Sequence, residues 1–289
     1  MKVGLFVDLR GASQPVDLVR GAASAAAANR LHSLWLQNGM GYDAGVMATV
    51  ASLAAPQLEV GIGVIPAPTR HPLAVAQLAV TLQQVTGGRF TIGIGASHPD
   101  ILANVFRISV NHPVRAMREH LDVLEPALRG QGPLEVVPSR APAVLLGALQ
   151  PGMLELAGSR TDGTVTWLTG ERTLRTHIVP RISEAAARAD RPKPRVVAML
   201  PVCVTTSVEA VRQRVNARLR RTSELPSYAA MMALERAAEP ADMAVYGTEA
   251  EVHEGLLRLA DAGVTELAAM VLATGSTEWE RTLGVLGCG

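Results

Sequence analysis

The sequence predicts an α/β chain folded as a (β/α)8 TIM barrel, and three observations carry that expectation. Eight short β-type runs alternate with Ala/Leu-rich helical runs from end to end. The β-type runs are near-continuously apolar, as strands of a parallel sheet covered on both faces are. The length, 289 residues, suits a barrel of typically ~250 residues plus insertions. An open doubly wound sheet shares the alternation, so the pattern alone leaves that alternative standing.

The elements follow in order. VGLFVD (3–8) reads as a first strand ending in an acid. A helix enters at Pro15 with Asp17 in its first turn and runs through alanines to 29, an N-terminal signature. LHSLWL (31–36) is the second strand and 44–55 a helix; LEVGIGV (58–64) is the third strand, glycine-rich at its end. The helix 72–86 begins at Pro72 and stops at Gly87-Gly88. RFTIGIG (89–95) is the fourth strand, followed by a helix over 112–129. AVLLGA (143–148) is the fifth strand, with a helix from Pro151 to Gly158; GTVTW (163–167) is the sixth, with a helix over 171–189. RVVAMLPVCV (195–204) is the seventh strand, followed by helices at 207–221, 228–238 and 248–262. TELAAMV (265–271) is the eighth, and 277–286 the last helix. The Pro/Gly-rich stretch 130–142 is the best break in the chain, and it reads as a connection between elements; one domain over 1–289 is expected.

Composition narrows the function. Apolar residues make up 48% and charged residues 18% of the chain, which argues against disorder. A net charge of +1 argues against a nucleic-acid surface, and the basic run Arg212–Arg221 is expected to be a solvated helix face. No uncharged apolar run reaches the ~18 residues of a membrane span. The apolar N-terminal stretch ends at Asp8, too short for a signal-peptide core, so a cytoplasmic protein without membrane contact is expected. Cys203 and Cys288 are too few for a disulfide framework and suggest a reducing compartment.

In a barrel the active site lies at the C-terminal ends of the strands. The residues there are Asp8, Gln37-Asn38, Gly63-Val64, Gly95 to His98, Leu149-Gln150, Trp167 and Thr274. They include no paired histidines or cysteines at metal-ligand spacing, and the chain has no G-x-S-x-G or Walker A motif. No metal is expected. A site poor in nucleophiles and rich in glycine suggests a planar cofactor that carries the reaction itself.

Three motifs, in order, resemble one family. GIGVIPAPTRHPLAVAQLAVTLQQVTGGRFTIGIGASHP (61–99), LLGALQPGMLELAGSRTDGTVTW (145–167) and YGTEAEV (246–252) are similar to the bacterial luciferase-like superfamily, closest to its branch using the deazaflavin coenzyme F420. The resemblance runs over nearly the whole chain and implies a luciferase-like (β/α)8 barrel. It implies a non-proline cis peptide at Gly63-Val64, a bulge backing the cofactor ring, with Gly95, Ala96 and Ser97 beside it. Gln150, Gly152 and Met153, at a helix start suited to anions, are implied to hold the cofactor's phosphate. His98 lies where a sugar-phosphate dehydrogenase branch has an acid, and is the candidate catalytic residue for moving a proton near neutral pH. Gly158 and Asp162-Gly163 match motif positions and are expected to hold a turn.

One departure weighs on the reaction. Some branches place an Asp-His pair just after the second strand; this chain has Gln37-Asn38-Gly39. That argues against a dehydrogenase needing a strong base and for a reductase, with Gln37 and Asn38 bonding the ring or substrate. Asp8 and Trp167 are assigned to the substrate side of the mouth; for Trp35, barrel packing is the safer reading. The expected activity is F420-dependent hydride transfer to an activated C=C or C=N bond of a small organic substrate. The rivals are an FMN-dependent monooxygenase of the same fold and a cofactor-binding homologue without turnover. A homodimer is compatible with the apolar composition.

Overall fold

A computed structural model describes residues 1–136 and 138–288. Its strands are β1 (Lys2–Val7), β2 (Ser33–Leu36), β3 (Glu59–Pro66), β4 (Phe90–Gly95), β5 (Ala143–Gly147), β6 (Gly163–Trp167), β7 (Arg195–Val204), β8 (Val245–Gly247) and β9 (Glu266–Val271). All pair in parallel. The ring runs β1 to β7 in sequence order, then β9, and closes from β9 back onto β1. An eight-stranded closed barrel is therefore present, and the open-sheet alternative is excluded. β8 stands outside the ring, paired with the overhanging end of β7 at Val202–Val204. The sequence reading missed it because three residues carry no detectable period.

Other differences are local. The helix expected at 171–189 is interrupted by a π turn, Leu174–Ile178, just before Pro180. Proline has no N–H to donate back along the helix, so the ladder shifts there. A helical turn, Pro99–Ile101 followed by Leu102–Phe106, lies between β4 and helix Pro113–Leu128, where the sequence reading assigned no element. The connection 130–142 contains Val137, which lies outside the described residues. Among the described residues no helix is long and apolar enough to cross a membrane.

Alternation along each strand sends every second residue into the barrel, and contacts across the interior identify which set. The lowest layer, at the N-terminal ends, is polar. Glu266, buried, accepts hydrogen bonds from Ser33 Oγ at 2.5 Å and Trp35 Nε1 at 2.7 Å. Arg195 spans from Glu266 (2.8 Å) to Glu59 (2.7 Å) and donates to Thr91 Oγ1 at 3.0 Å. Burial would raise the Glu59 carboxyl, but the His32 hydrogen bond and the Arg195 charge outweigh it and hold it at about 2. His32, Glu59 and Glu266 converge as metal ligands would, yet the guanidinium already occupies the place between the two carboxylates as their counter-charge. Trp35 is fully buried above this layer, as its packing role requires.

The helical shell contains one titratable weak point. His120 is buried on helix Pro113–Leu128, and its Nε2 has no partner among the described residues. Burial, and then the nearby His71, lowers its pKa to about 4. The unfolded chain takes up this proton near pH 6.5. Between those values the unfolded state binds more protons, so stability falls as pH falls. We expect a loss of about 3 kcal/mol from this group between pH ~6.5 and ~4. Urea unfolding of wild type and His120→Leu at several pH values tests it; equal slopes in both proteins would refute it.

Candidate active site

The C-terminal layer of the barrel is built around Val64. The Gly63–Val64 peptide is cis, and the β3–β4 register shifts between Ile62 and Ile65. The Val64 side chain lies against three glycines on the next two strands. A Cβ added at Gly93, Gly95 or Gly147 would lie 3.0, 2.8 or 3.4 Å from a Val64 methyl. The glycines of β4 and β5 are thus a seat for Val64, which keeps one half-exposed face toward the mouth. Below it, Gly63 packs against the Met199 methyl, where a Cβ would come to 2.3 Å.

Beside this ledge stands Gln37 at the end of β2, half-buried. Its Oε1 is buried and has no hydrogen-bond partner among the described residues. Opposite, Phe6 of β1 and Trp167 of β6 meet across the barrel with ring centroids 5.3 Å apart. Asn38 is turned away: its Oδ1 accepts from Ala44 N at 3.2 Å, at the start of helix Ala44–Ala54.

The strand-end loops close over this floor. Ser97 adopts a left-handed φ of 63°, which redirects the chain so that His98 follows in extended conformation. Burial lowers the His98 pKa, partly opposed by Asp100, so its imidazole is neutral at pH 7. Its ring lies 5.5 Å from that of Tyr228. Tyr228 belongs to helix Pro226–Glu235, inserted between β7 and β8. Its phenol is pushed up to about 12 by burial, against the opposing charge of Arg10. Tyr228 thus bridges the loops of β4 and β1, three strands apart on an eight-strand ring. The far end of its helix is pinned by Glu235, whose carboxylate accepts from Arg172 N (3.0 Å) and Thr173 N (2.7 Å) beyond β6. This helix roofs the mouth, with Met231 buried beneath it.

Asp8, at the end of β1, is held by Arg10 (Nε to Oδ1, 3.0 Å; Nη2 to Oδ2, 2.7 Å) and by Arg218 at 2.5 Å. Burial would raise its pKa; the Arg10 hydrogen bonds and the two guanidinium charges win and hold it below the ordinary range. After β5, Gln150 precedes helix Pro151–Arg160 without capping it through its side chain, Gly152 is exposed and Met153 is buried. His177, in the π turn, donates from Nε2 to Leu149 O (2.8 Å), because its Nδ1 accepts from Arg181 Nε. That bond fixes the approach to the helix start.

The fold therefore gathers Asp8, Gln37, Gly63, Val64, Gly95, Ala96, Ser97, His98 and Trp167 around one mouth, with Gln150–Met153 at its β5 edge. Thr274 is not among them; its hydroxyl and N–H both engage Glu278. The sequence reading missed Arg10, Arg218 and Tyr228. It also treated Arg212–Arg221 as a solvated face; the structure corrects this for Arg212, Arg214 and Arg218, while Arg220 and Arg221 are exposed as expected. Arg218 reaches Asp8, Arg214 reaches Glu278 and Leu272 O, and Arg212 pairs with Glu239 and Asp242. Helical spacing of 214 and 218 puts both on one side, a signal that was available but needed a known inner side to interpret. Arg70 pairs with Asp43, and His71 Nδ1 caps its helix.

Comparison with known proteins agrees with this fold. The profile of the family described as luciferase-like monooxygenase matches residues 1–266. A curated relative, the 4-hydroxyprotoasukamycin monooxygenase of Streptomyces nodosus subsp. asukaensis, is 33% identical over 119 residues, 35% of this chain and 32% of that protein. The match spans about a third of the relative's length. Among solved structures, an F420-dependent secondary alcohol dehydrogenase in complex with an F420–acetone adduct superposes with TM-score 0.82 at 17% identity, covering 99% of this chain and 97% of the other. The oxygenating constituent of 3,6-diketocamphane monooxygenase from Pseudomonas putida, in complex with FMN, gives 0.77 at 18% identity over 99% and 97%. At these identities the superpositions speak for the fold.

Proposed function

The chain belongs to the luciferase-like monooxygenase family, and from that premise we propose that it is a coenzyme F420-dependent reductase of an activated C=C or C=N bond in a small organic substrate. The observation that carries the reading is the pairing of the Val64 ledge with Gln37 Oε1, which has no partner among the described residues. A half-exposed aliphatic ledge beside an unsatisfied buried amide oxygen fits a flat heterocycle with an N–H on its edge, since a buried acceptor left unpaired costs ~1–3 kcal/mol.

The reduced deazaflavin, when bound, supplies a hydride. The chain's own residues orient and enclose. Val64 would back one ring face, Gln37 would accept from the ring edge, and the backbone at Gln150–Met153 would receive the phosphate at a helix start. Gly63, Gly95, Ala96 and Ser97 would complete the ring's surround, without Asn38, whose amide is used at the start of the next helix; Asp8 and Trp167 would face the substrate. His98, neutral, offers one N–H and one acceptor nitrogen at the mouth; its N–H hydrogen-bonds the substrate atom on which negative charge develops as hydride arrives, and water supplies the proton. The roof helix limits water access to the floor.

Titration of the purified protein with F420 and with FMN, followed by fluorescence, tests the cofactor. Micromolar or tighter F420 binding with weaker FMN binding is expected. Preference for FMN would replace the reductase with a monooxygenase reading, and binding of neither would overturn both. His98→Ala is expected to lower kcat about 100-fold toward an α,β-unsaturated acceptor and leave F420 affinity unchanged. Full activity in that variant would remove His98 from the reaction.

A further inference from the structure

A gap in the helical shell lies beside the mouth. Helix Pro15–Ala28 packs along helix Ala44–Ala54, but among the described residues it makes no comparable packing with Val208–Ser223 or with helix Ser276–Leu286 on its other side. The space left is a cavity of about 610 Å³ at the C-terminal ends of β1 and β9, within the ~300–1,000 Å³ of ligand pockets. Leu5 and Val7 of β1, Met270 of β9, Leu18 and Trp279 give it apolar walls, and the small Ala22 and Ala217 stand where longer side chains would fill it. Leu18 is 42% exposed and Trp279 half-buried, so hydrocarbon is left facing water on opposite sides of the gap.

The charged side chains that line the cavity are already engaged. Arg218 pairs with Asp8 at 2.5 Å. Arg214 pairs with Glu278 at 3.3 Å and donates to Leu272 O at 3.1 Å. The rim therefore presents finished ion pairs, and the walls present hydrocarbon. An ionic guest would have to break one of those pairs or hold its own charge unpaired against apolar walls, and either is costly. An uncharged apolar guest disturbs no pair and releases the water lying over Leu18 and Trp279.

We propose that this cavity is a binding site for a small uncharged apolar molecule, its hydrocarbon body lying between Leu18 and Trp279. The site stands independently of the cofactor reading above. The test is isothermal calorimetry with octanol, octanoate and octyltrimethylammonium, on the protein alone and after addition of F420. Expected are one octanol per chain, binding of both ions weaker by about tenfold, and the same order with F420 added. Ala217→Trp, at an exposed position on the wall, fills the cavity and should abolish octanol binding. Leu18→Ala removes part of the opposite wall and should weaken octanol about fivefold. Thermal melting checks that both variants fold. Equal affinity for the three probes, tighter binding of octanoate, no octanol binding up to its solubility, or unchanged binding in folded Ala217→Trp would each overturn the proposal. Octanol affinity that falls as protein concentration rises would give the cavity to a second copy of the chain and overturn it too. Failure of F420 to bind would count against the reductase and leave this site's outcome readable.

Discussion

Glu266→Ala is expected to cost the fold about 3–5 kcal/mol, the usual penalty for removing one partner of a buried ion pair. Three groups lose their acceptor at once: the Arg195 guanidinium, Trp35 Nε1 and Ser33 Oγ. Arg195 keeps Glu59 at 2.7 Å, so its charge is not fully orphaned. The indole and hydroxyl are fully buried, and water cannot replace what they lose. Against a typical total of ~5–15 kcal/mol this is a large fraction. Glu266→Gln keeps an oxygen for Trp35 and Ser33 and should cost about half as much. Urea midpoints at unchanged m-value measure both. A change below about 1 kcal/mol for Glu266→Ala would mean the network is only decorative. Ligand affinity of the folded fraction should not move, because this layer lies at the stability end of the barrel.

Gly95→Val is expected to separate binding from folding. A Cβ at Gly95 would sit 2.8 Å from the Val64 methyl, and valine adds two more carbons to the same space. Val64 must leave its seat and rise toward the mouth. Overpacking of this kind costs about 1–3 kcal/mol of stability, which a barrel core survives. The ledge itself is displaced, and we expect F420 affinity to fall about 100-fold, or ~2.7 kcal/mol. Adding Val64→Ala returns room, so the double variant should regain part of that loss, a coupling expected only of touching residues. Unchanged F420 binding in folded Gly95→Val would show that Val64 does not contact the cofactor.

The two variants touch features of different legibility. Gly61-x-Gly63 and Gly93-x-Gly95 stand out in the sequence as glycine-ended strands, and their place at the mouth follows from chain direction in a parallel barrel. That these glycines receive a valine from the neighbouring strand does not follow, since it depends on register between β3 and β4. Glu59, Arg195 and Glu266 each sit near a strand start, among apolar residues, with nothing in their local sequence to join them. Ring closure brings together residues as far apart as 59 and 266.

Local pattern, read along the chain, was sufficient for eight of the nine strands, the helix starts at proline, and the strand ends where a site would lie. Apolar periodicity, proline and glycine act within a few residues of where they stand, so a one-dimensional reading captures them. The Asp8–Arg10–Arg218 cluster, the Tyr228 roof, the unpartnered Gln37 oxygen and the inward turn of Arg214 belong to the closed structure. Each depends on which surfaces meet when the ring closes, and burial and charge pairing at those meetings are properties of distance in space, which spacing along the chain does not encode.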